Sequence, residues 1–305
     1  MDGRRCRGPG VRGSPLRQTL RQTFQAGQAV AGHRLLRQIG PGASSAVFLA
    51  LNINSNEAVA LKLVPLAPAE GAAASRQAFM VTAEAARLLV HPDIIAVYAA
   101  GVEGDLGWLA MEPVPGCDLS RYTRPSRRLP EAVILQIAAR LARALAFAHR
   151  QGVVHRDLKP ANILVNWAAD GLKLADFGLA RLTGASNTGT GIVMGTPAYM
   201  APEQLAGAVP DPRTDFYALG VMLFELLAGR LPHEGATMGE LLRQVAHEPA
   251  PALRGLIPEL PPDVAELVAR LLSKAPGARA TDGDTLAAEL QGLSRALPGN
   301  GAKSR

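Results

Sequence analysis

The chain has 305 residues, of which 48% are hydrophobic, 19% charged and only 4% aromatic. That composition excludes a disordered chain and describes a globular body whose core is filled by Leu, Ala and Val. The net charge of +6 does not mark a nucleic-acid binder, because Arg4, Arg5, Arg7, Arg12, Arg17 and Arg21 against Asp2 place +5 of it in residues 1–28.

Residues 1–28 are rich in Gly, Arg and Pro and read as a flexible basic leader. Arg4-Arg5 is followed by no apolar stretch, so no export signal is read. Cys6 and Cys117 lie far apart, offering neither a disulfide framework nor a paired metal motif, which fits a reducing compartment. The longest apolar segments, near 132–148 and 218–228, are interrupted by Arg140 and Arg143 or by Glu225 and fall short of a membrane span. The expectation is a cytoplasmic protein with no membrane span and no nucleic-acid partner.

From His33 the chain alternates in short β-like runs, 33–39, 46–52 and 57–64, separated by a Gly-rich turn and by Asn54-Ser55-Asn56. The Ala-rich stretch 75–90 reads as a helix closed by His91-Pro92, and 108–111 as a further strand. After Pro113-Val114-Pro115-Gly116 the chain turns helical. Residues 129–151 space Val133, Ile137, Leu141, Leu145 and Ala148 three or four apart, while 215–228 is apolar almost all round and stops at Gly229. Thr237 to Glu240 and Asp263 to Glu266 each resemble a capping box. His149, His233 and His247 lack a second ligand at a metal-binding offset and read as surface or packing residues.

A strand-rich part joined to a helix-rich part by a Pro/Gly linker predicts an α+β, bilobal fold. Its body runs from 29 to 295, with an N-terminal lobe over about 33–112, a hinge at 112–118, a C-terminal lobe over about 119–295 and a flexible tail from 296 to 305.

Three features carry chemistry. Gly40-Pro41-Gly42, followed by Ser44, Ser45 and Val47, lets bare backbone approach an anion. Lys62 lies inside an apolar strand, where an ammonium group needs an anion to meet. The run from His155 to Asn162 contains Asp157, Lys159 and Asn162, and Asp176-Phe177-Gly178 follows it. Phosphoryl transfer needs those types: a carboxylate to orient and deprotonate a hydroxyl, oxygen ligands for a divalent metal, and cations against phosphate charge.

Together with the 195–203 segment Gly-Thr-Pro-Ala-Tyr-Met-Ala-Pro-Glu, with Asp215-Phe216-Tyr217-Ala218-Leu219-Gly220 and with Arg279, these motifs resemble a bacterial eukaryotic-type serine/threonine protein kinase domain over residues 33 to about 292. The resemblance implies ATP and Mg²⁺, with Mn²⁺ as a possible substitute, and the γ-phosphate passed to Ser or Thr hydroxyls of protein substrates. It implies that Ile39, Gly40, Gly42, Ala43, Ser44, Val47 and Ala60 cover the nucleotide and that Lys62 meets its phosphates. Met111 would be the gatekeeper, Glu112 and Val114 would bind adenine through backbone, Asp118 would meet ribose and Leu164 would floor the slot. Asp157 would be the catalytic base, Lys159 would steady the transferred phosphate, and Asn162 and Asp176 would hold metal. Lys159-Pro160 and Thr196 are similar to the Ser/Thr branch.

Arg156 implies control by phosphorylation at Thr183, Ser186, Thr188, Thr190 or Thr196, with transient self-association for transfer between two copies. Glu203 and Arg279 resemble the family's structural ion pair. One departure stands out. Spacing from His91-Pro92 puts the family's helix glutamate at Thr82, and the nearest acid, Glu84, is about 200° around the helix. Glu84 could fill that role only if the helix shifted, so Lys62 is expected to lean on Asp176. The alternative reading is a pseudokinase that binds ATP as a regulatory module.

Overall fold

The computed structural model describes residues 24–41, 45–66, 72–177 and 197–297. Among them the N-terminal part is one curled antiparallel sheet built from β1 (Ala29–Val30), β2 (His33–Pro41), β3 (Ala46–Asn52), β4 (Ala58–Pro65), β5 (Val97–Glu103) and β6 (Leu106–Met111). Its spatial order is β1-β2-β3-β4-β6-β5. Helix α1 (Ala72–Arg87) packs on it through Phe79 and Ala83, which share a buried cluster with Ala60, Val64, Leu109 and Met111. The opposite face buries Leu35, Phe48, Leu61 and Leu63.

A second small sheet, β7 (Cys117–Asp118), β8 (Ile163–Asn166) and β9 (Gly171–Leu174), lies at the boundary with the helical lobe. That lobe is formed by α2 (Glu131–Arg150), α3 (Pro202–Leu205), α4 (Pro212–Ala228), α5 (Met238–His247), α6 (Leu253–Leu256), α7 (Pro262–Leu271) and α8 (Gly283–Ala296). Its core is continuous from Leu135 and Leu145 on α2 to Phe216 and Leu223 on α4 and to Leu267 and Leu290 on α7 and α8. Helix α4 is buried nearly all round, as its sequence predicts; Asp211 caps its start and Gly229 ends it at φ +74°.

Several expectations need correction. The leader does not run to residue 28: Phe24 stacks edge-on against Phe48, and the Gly27 N–H donates to the Leu35 carbonyl at 2.7 Å. At the other end α8 reaches Ala296 and Leu297 is buried, so the tail expected from 296 starts later. Helix α7 begins at Pro262 without a side-chain cap, so Asp263 and Glu266 form no capping box, whereas Thr237 does cap α5. Strand β5 and the β8–β9 hairpin were not legible as runs. Helix α2 is, by length and composition, apolar enough to cross a membrane, but most of it is packed inside the lobe. It is a core helix, and its Arg140 and Arg143 are spent on Asp93 and Gln291.

Candidate active site

The sheet register sets one wall of the cleft. Gly40 pairs with Val47, Val47 with Lys62, and Lys62 with Leu109, so these residues lie in one row on one face. Ala60, two residues before Lys62, shares that face and pairs with Met111. Val47, Ala60, Met111, Val114 and Leu164 belong to the same apolar cluster. They form a flat, unbranched slot of the kind that takes a planar aromatic ring. Ile39 is 40% exposed at the slot's rim. Gly42, Ala43 and Ser44 lie outside the described residues.

The hinge between the lobes is pinned at three points. The Glu112 N–H donates to the Ala96 carbonyl at 2.9 Å, and the Glu112 carboxylate meets Lys173 Nζ on β9 at 2.7 Å. At Gly116, with φ +132°, a Cβ would sit 2.1 Å from the Val165 carbonyl, so only glycine lets the hinge approach β8. Asp118, expected to meet ribose, accepts the Ser120 N–H through Oδ1 at 3.0 Å and caps the short turn 119–122.

Below the slot, the loop between α2 and β8 is anchored from beneath. Asp215, fully buried on α4, accepts the His155 N–H, the Arg156 N–H and the His149 ring, each at 2.8 Å. Those bonds hold Arg156 at φ +69°, a conformation that costs a non-glycine residue of order 1–3 kcal/mol. Asp157 then projects its carboxylate to Lys159 Nζ at 2.7 Å and to Asn162 Nδ2 at 3.1 Å, and Asn162 Nδ2 also reaches the Asp157 carbonyl at 2.7 Å.

The β8–β9 hairpin brings in the last member. Ile163 pairs with Leu174, and the Ala175 N–H donates to the Asn162 carbonyl at 2.9 Å, so Asn162 and Asp176 flank one site. Asp176 sits at φ +71° and meets Lys62 Nζ at 2.7 Å. Burial pushes its carboxyl upward, but Lys62, with smaller help from His155 and Lys159, outweighs burial and holds it below the usual carboxylate range. Phe177 is buried edge-on against His155, with ring centres 4.6 Å apart.

Asp176 and Asn162 are hard oxygen donors, and no cluster of three His, Cys, Asp or Glu exists among the described residues. One carboxylate and one amide suit a cation that takes its remaining ligands from a substrate's phosphates and water, the habit of Mg²⁺.

Thr82 lies on the inward face of α1, half-buried, its hydroxyl donating to the Ala78 carbonyl at 2.9 Å. Glu84 faces outward and pairs with Arg87 at 3.0 Å, so it does not serve Lys62. Away from the cleft, Arg279 is fully buried and grips Glu203 with two bonds, 2.6 and 2.9 Å. The phosphorylation candidates Thr183, Ser186, Thr188, Thr190 and Thr196 lie outside the described residues.

Two contributors went unrecognised in the sequence. His149, read as a surface or packing residue, is nearly buried and bonded to Asp215, and Asp215 itself read only as part of an apolar helix. A carboxylate inside a helix apolar all round was the available signal, because a buried charge needs donors from elsewhere.

A phosphate-facing lysine on a curled sheet, a lobe-spanning hinge and an Asp–Lys–Asn loop beside a second Asp define the protein kinase class. Residues 33–291 match the protein kinase domain, and the chain belongs to that family. It is similar to the serine/threonine-protein kinases PknL and PknJ of Mycobacterium tuberculosis, 34% identical over 261 residues and 38% over 266. It is also 32% identical over 267 residues to the serine/threonine-protein kinase PrkC of Bacillus subtilis. These matches take in 85%, 85% and 87% of this chain but 65%, 44% and 41% of the relatives, so the chain spans between about two-fifths and two-thirds of their lengths.

Proposed function

We propose that the chain transfers the γ-phosphate of ATP to Ser and Thr hydroxyls of proteins, its own 183–196 segment included. The observation that carries this reading is the Asp157–Lys159–Asn162 cluster, closed at 2.7–3.1 Å and set beside Asp176. Asp157 orients the substrate hydroxyl and takes its proton as the oxygen–phosphorus bond forms and the bond to the nucleoside diphosphate breaks. Lys159, already on Asp157, is placed to follow the transferred group and offset its charge. Lys62 binds the nucleotide's phosphates, while Ala60, Met111, Val114 and Leu164 hold the base and exclude water. Asn162 and Asp176 are the residues to hold Mg²⁺, with Mn²⁺ tolerated; the metal supplies charge neutralisation at the phosphate oxygens. Transfer between two copies would require transient self-association.

The relatives' names favour this reading over an ATP-binding module without transfer, and so does the presence of all four polar residues. Purified protein incubated with ATP and Mg²⁺ is expected to gain phosphate on Thr or Ser within 183–196, read by mass spectrometry, and Asp157→Ala to gain none. Nucleotide binding without phosphate on the chain or on a generic protein substrate would defeat the proposal.

A further inference from the structure

The pairing of Lys62 is where this chain departs from its own motifs. Its side chain is only 8% exposed, and an ammonium group so buried needs a carboxylate. Helix α1 cannot provide one. The inward stripe of α1 runs through Phe79, Thr82, Ala83 and Ala86. Phe79 and Ala83 pack with Ala60 and Val64, the strand neighbours of Lys62 on the same face. Ala86, one turn beyond Thr82, lines a small pocket with Met111, Asp176 and Phe177. Position 82 therefore faces the region of Lys62 and Asp176, and it carries a hydroxyl that is spent on its own helix. The helix's single acid, Glu84, is on the far side, with Arg87. Lys62 is left with Asp176 as its ion-pair partner.

From this geometry we infer that nucleotide phosphate and divalent metal enter the site as one coupled event, because each must take one half of the Lys62–Asp176 pair. The inference rests on the phosphotransfer reading above. Phosphate arriving alone would draw Lys62 away and strand the Asp176 carboxylate without a cation. Metal arriving alone would take Asp176 and strand an ammonium that is almost wholly out of water. Arriving together, each ligand replaces the partner that the other removes, and both charges stay compensated. A carboxylate at position 82 would remove the coupling, since Lys62 would then keep a partner whichever ligand came first. By reciprocity, metal tightens nucleotide and nucleotide tightens metal by the same factor.

The test is titration of the full chain with a fluorescent ADP analogue, in EDTA and in saturating Mg²⁺, for the wild type, Thr82→Glu and Thr82→Gln. Direct chelation of Mg²⁺ by the nucleotide contributes equally to all three, so the wild-type ratio of the two Kd values against each variant's isolates the protein's share. Thr82→Glu is expected to shrink that ratio by roughly 10-fold, within the ordinary range for coupled ligands. Thr82→Gln, of the same size without charge, is expected to keep the wild-type ratio. A Thr82→Glu ratio within twofold of wild type overturns the inference while leaving the kinase reading standing. An equal drop in the Gln variant also overturns it, since shape rather than charge would be the cause. Absence of ADP binding in every protein and condition overturns the inference and the nucleotide reading together. Thermal melts of the three proteins identify a variant that has failed to fold, and a variant at position 82 with Asp in place of Glu then supplies the charge at smaller volume.

Discussion

Replacing Asp215 with Asn tests whether the catalytic loop is held from beneath. The wild-type carboxylate is fully buried and accepts the His155 and Arg156 backbone donors and the His149 ring, each at 2.8 Å. Asn keeps the volume and one acceptor oxygen but turns the other position into a donor, so at least one buried N–H loses its partner. That costs about 1–3 kcal/mol. For a domain of this size 1 kcal/mol corresponds to roughly 2–4 °C, so a central loss of about 2 kcal/mol lowers Tm by about 4–8 °C. The same change releases the Arg156 turn at φ +69° and with it Asp157, and a misplacement of ~1 Å in a reacting group can cost ~100-fold in rate. The nucleotide slot is built from the sheet and the hinge, so ADP affinity should stay within about threefold of wild type. Scanning calorimetry, ADP titration and steady-state phosphorylation of a generic substrate read the three quantities separately. Unchanged Tm and unchanged kcat in Asp215→Asn would refute the anchoring argument, as would a loss of ADP affinity as large as the loss of kcat.

Other consequences are checked by stability measurements. Arg279→Met removes one partner of a pair in which the arginine is fully buried, and should cost about 3–5 kcal/mol in urea unfolding; adding Glu203→Gln should recover part of it, because no charge is then stranded. His233 is held down to about 4 by burial and then by the Lys274 ammonium, against an ordinary 6.5. The unfolded chain therefore binds more protons between those values, so stability should fall as pH drops from about 6.5 to about 4, and His233→Gln should flatten that fall. Lys274 Nζ meets the Val245 carbonyl at 2.7 Å near the end of α5, yet burial and then Arg279 hold it down to about 8 from 10.5. Here the unfolded chain binds the extra proton between about 8 and 10.5, so stability should rise across that window, and Lys274→Met should abolish the rise in Tm measured against pH.

The elements with strong periodicity were legible in the sequence, and those defined by pairing were not. Helices α2 and α4 announce themselves through apolar spacing and all-round burial, and Lys62 through its apolar strand. Strand β5, Val-Tyr-Ala-Ala-Gly-Val-Glu, has no clean alternation because it lies at the sheet's edge and is only partly buried on both faces. Strands β8 and β9 are four residues each and are defined by their register with one another, which no local pattern encodes. The four polar residues of the site stand in motif order, but their partners come from distant chain. The partner of His155 and Arg156 is Asp215, and Lys62 meets Asp176 rather than anything on α1.

The two halves of the site are stabilised by different means, and that difference assigns them different freedom. Arg156 and Asp176 both adopt positive φ without being glycine, and such strain persists only where surroundings over-determine it. At Arg156 the surroundings are buried and belong to one lobe: Asp215 on α4, itself packed all round by apolar neighbours. At Asp176 they are divided. The β8–β9 hairpin fixes the backbone from the helical lobe through the Ala175–Asn162 bond, while the side chain is held by Lys62 from the sheet. Displacing the sheet relative to the helices would leave the Asp157–Lys159–Asn162 cluster intact, since all of its bonds are local, but would pull Lys62 off Asp176. The geometry of the proton-accepting carboxylate is thus a property of the helical lobe alone, whereas the position of the metal-holding carboxylate reports on both lobes at once.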